Sequence, residues 1–158
     1  MKKHLLSLAL ATALLNLTAC QSTPPPPPSQ TELQARERES QKLAELTQRY
    51  FDESMKRNPL MATFYGVNDY NDKFVAPISE ASISSDKAFN LRYLAAIDAI
   101  NPELLEGQDW LSYQIFKYDR QHVLAGFKFA NEYMPLSQMG GVHTYFAMMA
   151  SGQSAQPF

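Results

Sequence analysis

The sequence predicts an all-α protein with about three long and two short helices. Two observations predict it. Apolar residues recur at helical spacing, as in Leu43, Leu46, Tyr50 and Phe51 and again in Phe89, Tyr93, Ile97 and Ile100. Asn-Pro pairs and glycines punctuate these runs where helices start and stop. No alternating strand pattern survives between the boundaries, and no segment repeats.

The first helix is expected over Thr31 to Arg57, with Thr31 and Gln34 as a capping box. Its opening stretch, Glu32 to Lys42, is dense in charge and is expected to project or fray. Asn58-Pro59 ends this helix and starts a short one to Tyr65, with Asn58 as cap, Pro59 in the first turn and Gly66 as stop. Val67 to Pro77 reads as a loop. Its Asn68-Asp69-Tyr70-Asn71-Asp72 run is rich in turn formers but lacks the alternating acids, glycine and distal glutamate of a calcium loop. Ser79 or Ser82 caps the next long helix, which runs to Ile100 before Asn101-Pro102. The third runs from Asp109 to Phe129, with Leu111, Ile115, Tyr118 and His122 expected as its core-facing stripe, flanked by Phe116 and Val123. A glycine-containing loop from Leu136 to His143 leads to a short apolar helix, Thr144 to Ala150.

Composition excludes several function classes. The 158 residues include one cysteine and three histidines, so neither an intramolecular disulfide nor a multi-cysteine zinc site can form. Fourteen basic residues against 16 acidic ones leave no electrostatic footprint for nucleic acid. No His-Glu-x-x-His, Gly-x-Ser-x-Gly or phosphate-loop string occurs. His122 and His143 stand 21 residues apart, and His122 is expected at the core or its boundary. The pair Gly140-Gly141 marks a tight turn. Gly140, Gly141 and His143 form the one candidate substrate-lining loop. No catalytic or metal-binding residue is nominated.

The N-terminus reads as an address. Met1-Lys2-Lys3-His4 is a basic start, followed by an uncharged, mostly apolar stretch from Leu5 to Ala19. Fifteen residues suit a signal-peptide core and fall short of the roughly 20 of a membrane-spanning helix. Leu17-Thr18-Ala19-Cys20 resembles the bacterial lipobox. Residues 1–19 are then the signal peptide, and Cys20 is the lipidation site, carrying acyl chains such as palmitate. Several acyl chains anchor stably where one does not. Gln21 after the cysteine resembles the sorting signal for the outer membrane, facing the periplasm. Processing leaves 12 basic and 16 acidic residues, a net charge of −4, so the lipid must supply the membrane contact. Residues 20–30, with Pro24 to Pro28, form a stiff polyproline II linker. Residues 31–158 form the helical domain.

The order of motifs resembles the bacterial family called domain of unknown function 885. Tyr50-Phe51-Asp52-Glu53, Asn58-Pro59 and Ala62-Thr63-Phe64-Tyr65-Gly66 are similar to its opening. Tyr70 with Asp72, and Leu94 to Asn101, are similar to its next segments. The most specific match is Glu132-Tyr133-Met134-Pro135-Leu136-Ser137-Gln138-Met139-Gly140-Gly141-Val142-His143, with Gln156-Pro157-Phe158 closing the pattern. The resemblance spans about residues 43–158. It implies a lipid-anchored, zincin-like hydrolase of peptide or amide bonds, whose zinc site lies downstream of the matched part. This chain is then expected to be the N-terminal portion of a larger helical architecture. It is expected to bind no cofactor and to have no activity of its own. Its expected partners are the membrane, through the lipid, and the remaining portion or another protein, through exposed helix faces. The alternative is a small outer-membrane lipoprotein that serves as a helical binding or scaffold module.

Overall fold

The computed structural model describes residues 27–75, 77–129, 133, 136–137 and 140–151. Two units divide the chain, Met1–Glu32 and Leu33–Phe158. Cys20, the signal peptide and the closing Gln156-Pro157-Phe158 lie outside the described residues. In the first unit, Pro27 and Pro28 are exposed and belong to no helix or strand.

The described residues are all-α: five helices and no strand. Helix α1 runs Gln30–Arg57. Its cap is Ser29, whose hydroxyl accepts from the Glu32 amide at 3.2 Å, two residues ahead of the predicted Thr31 box. The charged opening does not fray. Glu39 is buried and accepts from the backbone N–H of Asn101 at 3.0 Å and from Lys42 Nζ at 2.6 Å. Arg36 pairs with Glu106 nearby.

Helix α2 is Pro59–Phe64. Asn58 makes no side-chain cap; its carbonyl accepts from Ala62 instead. The C-terminus closes as a Schellman motif: Gly66 N–H donates to Thr63 O at 3.0 Å and Val67 N–H to Ala62 O at 2.8 Å. Gly66 sits at φ +80°, which a side chain would resist. In the following loop, Thr63 Oγ1 donates to Asn71 Oδ1 at 2.6 Å and Asn71 Nδ2 to Asn68 Oδ1 at 3.3 Å, so the asparagines brace the turn.

Helix α3, Glu80–Asp98, starts on Ser79, whose Oγ accepts from Ser82 N–H at 3.2 Å. A 3-10 turn, Pro102–Leu104, leads to α4, Gly107–Gly126. Helix α5 is Val142–Ala150. Helix α3 packs most extensively on α4.

One core joins α1, α3 and α4: Leu43, Leu46, Phe89, Tyr93, Ile97, Ile100, Leu105 and Tyr113. Tyr50 is half-buried at its centre, with ring centroids of Phe89, Tyr93 and Phe116 at 5.4, 5.1 and 5.0 Å. The predicted faces of α1 and α3 are thus the packed ones, except that Phe51 points outward toward Tyr65.

The predicted stripe of α4 is on the wrong side. Leu111, Ile115, Tyr118 and His122 are exposed, and His122 stacks on Tyr118 with ring centroids 5.9 Å apart. The inward residues are Tyr113, Phe116, Arg120 and Val123. Arg120 decides this rotation. Its guanidinium lies 4.3 Å from the Tyr50 centroid, and its Nη1 donates to Asn90 Oδ1 at 2.5 Å. A cation on an aromatic face with a buried amide partner belongs inside.

Ile97 has no exposed surface. Ile97→Ala is expected to lower unfolding free energy by about 2–5 kcal/mol. Leu91→Ala, half-exposed on the same helix, is expected to stay within about 0.5 kcal/mol of wild type. Urea titration of both variants checks the packing register.

Candidate functional site

The predicted loop residues do come together. Ser137 and Gly140 close a tight turn: Ser137 N–H donates to Gly140 O at 2.9 Å, and Gly140 N–H reaches Ser137 Oγ at 3.1 Å. Gly141 follows at φ +152°. A Cβ there would fall 2.8 Å from Leu136 Cδ2 and 3.0 Å from His143 Nδ1. The positive φ is what favours glycine here; the Leu136 and His143 side chains that come close are exposed and free to swing aside. His143 is exposed in the first turn of α5.

A cleft of about 350 Å³ lies elsewhere, between the start of α3 and the end of α4. Ile78, Ile83, Val123, Phe127 and Phe129 form its walls. Gly140, Gly141 and His143 do not line it. Its charged edge is Asp86, which takes a hydrogen bond from Arg57 Nη2 at 2.5 Å while Arg57 lies 4.8 Å over Phe89. Such walls suit apolar groups and offer no acid–base pair. Sequence reasoning missed this cleft because its residues sit beside the main helical stripes, in loop and helix-end positions.

The ionisable cluster nearest the core is structural in its chemistry. Glu53 accepts from Arg92 and, at 3.0 Å, from the Tyr93 hydroxyl. Arg92 first, and Tyr93 second, hold the Glu53 carboxyl below the usual range despite its desolvation. Burial first, and Glu53 second, push the Tyr93 phenol up. The phenol therefore stays a proton donor, the opposite of an activated nucleophile. Lys42, and then the Asn101 N–H, hold Glu39 low in the same way.

Among the described residues, no three His, Cys, Asp or Glu side chains stand where they could hold a metal ion. These residues do not fit a zinc site, and no catalytic step is derived through one. No described helix is long and apolar enough to cross a membrane.

Exposed apolar residues also occur on α2 and the loop after it, where Phe64, Tyr65 and Phe74 stand out. Two further apolar surfaces lie toward the C-terminus. One is the outward α4 stripe. The other is α5 with its approach, where Tyr133, Leu136, Phe146 and Met148 are exposed. The sequence carries a signal for the second: Tyr133 to Phe158 contains no Asp, Glu, Lys or Arg.

No protein family, curated protein or solved structure matches this chain.

Both glutamates have folded pKa values lowered from the ordinary 4.5, so the unfolded chain binds protons first as pH falls. Their contribution is complete above pH 4.5 and is lost as pH drops through the folded values. Glu39→Gln and Glu53→Gln are expected to be less stable than wild type at neutral pH, with the gap narrowing in acid. Chemical denaturation at several pH values reads this directly.

Proposed function

We propose that this chain is the N-terminal helical portion of a lipid-anchored, zincin-like hydrolase of the cell envelope. In this reading the chain has no peptidase activity of its own. It is a packing module that buries apolar surface against the catalytic remainder. The observation that carries the reading is α5. This helix bears no charged residue, and Phe146 and Met148 are exposed on it. A helix without a charged face needs cover. The resemblance to domain of unknown function 885 supplies the kind of cover, a larger helical body. The Gly140–His143 loop, which leads into α5, would meet the cleft of that body.

The anchor in this proposal is Cys20, which fastens the protein to the outer membrane facing the periplasm. Labelled palmitate is expected to enter the native protein and to be lost entirely in Cys20→Ala.

A second reading has its own observation. The core from Leu43 to Tyr113 joins three helices through side chains of this chain alone. That self-sufficiency favours a small lipoprotein acting as a binding or scaffold module. The intact mass of the protein extracted from membranes separates the two. A parent several times heavier than 17.8 kDa, with bound zinc, supports the hydrolase reading. Residues 20–158 with acyl chains, unfolding cooperatively, support the scaffold. Peptide cleavage by the purified chain, stopped by a chelator, overturns the assignment of an inactive module.

A further inference from the structure

The outward stripe of α4 has a regular geometry of its own. Leu111, Ile115, Tyr118 and His122 step by four, three and four residues, the alternation of a coiled-coil seam. At about 100° per residue, the seam lies opposite Tyr113, Phe116, Arg120 and Val123, which face the core. Helix α4 is thus committed on one side and apolar on the other. Ile115 is 59% exposed and Tyr118 68% exposed. Both stand on a helix whose orientation is set by the buried Arg120, so the seam is a rigid surface.

We propose that this seam is a homodimer interface, with α4 of one protomer packed antiparallel on α4 of a second copy about a two-fold axis. The register is self-complementary. With the axis midway between Phe116 and Lys117, Leu111 meets the partner's His122, and Ile115 meets the partner's Tyr118. The flanking positions are Ser112, Gln114, Asp119 and Gln121. Antiparallel packing brings the same flank of both copies together, so in this register Asp119 lies beside the partner's Ser112, and Gln114 lies beside the partner's Gln121. No like charges oppose one another, which an isologous interface requires.

The area suits a weak, reversible dimer. The exposed parts of Leu111, Ile115 and Tyr118, with His122 and the flanks, amount to at most about 500 Å² per copy, so two copies bury at most roughly 1,000 Å², below the standard size of a stable interface. The seam carries no Lys or Arg along its flanks, which separates it from the basic faces of helices that lie on anionic lipid.

Sedimentation velocity of the lipidated protein in density-matched detergent tests the proposal. The expected result is a protein mass twice that of one chain, falling to one on dilution. Tyr118→Glu and Ile115→Lys, each alone, are expected to weaken the dimer at least about tenfold. The double variant is expected to restore it, because the two positions face each other across the axis. Circular dichroism melting checks that each variant keeps its fold, and Tyr118→Phe should remain dimeric. A monomer at every concentration overturns the proposal. So does a dimer indifferent to both charges, or an assembly that grows past two.

Discussion

A buried guanidinium sets the geometry of this molecule. Arg120 is 6% exposed, and a charge so placed costs several kcal/mol unless its surroundings answer it. Three helices do so. Tyr50 of α1 and Phe116 of α4 present ring faces 4.3 and 5.6 Å away. Asn90 of α3 offers its side-chain oxygen, and the same amide donates to the Asp86 carbonyl at 2.8 Å, which fixes which way it points. Asp119 closes the outer edge. Tyr50 is itself held by Phe89 and Tyr93. The cation is therefore the common partner of the aromatic core, and α4 can adopt only the rotation that keeps it there.

That constraint explains where the sequence was legible and where it was not. On α1 and α3 the apolar spacing has one solution, so Leu43, Leu46, Phe89, Tyr93 and Ile97 were readable as core. On α4 two stripes compete. Aliphatic character favours Leu111 and Ile115, while the true face contains Arg120, which a hydrophobic pattern rejects. Only the ring faces of Tyr50 and Phe116 make that arginine an inward residue, and they come from different helices. The same limit applies to the loop before α5. A glycine pair announces a turn, but only the backbone shows that Gly141 is the one at positive φ.

Helix lengths account for the behaviour of the charged N-terminal part of α1. At about 1.5 Å per residue, the 28 residues of α1 outreach the 19 of α3 by more than two turns. Those extra turns run alongside the connection between α3 and α4. There Glu39 accepts the Asn101 amide that the ended helix leaves without an intrahelical partner, and Arg36 meets Glu106. Charge density near Glu32 to Lys42 was therefore not a sign of fraying. It supplies the polar partners that tie the start of α1 to that turn. At the other end, Arg57 does the same for α3 through Ser85 and Asp86. The ends of the helices are joined by ions and the middle by rings.

The exposed apolar surfaces of α4 and α5 differ in a way that bears on what each can meet. The α4 seam is periodic and flanked by Ser112, Gln114, Asp119 and Gln121, so it suits another helix at matching spacing. Helix α5 has no such seam, because its residues carry no charge on any side. Enclosure rather than a single facing helix is what such an element requires. The two surfaces are also fixed by different means: the buried Arg120 holds the rotation of α4 that turns the first outward, and the positive φ of Gly141 sets the turn that leads into the second.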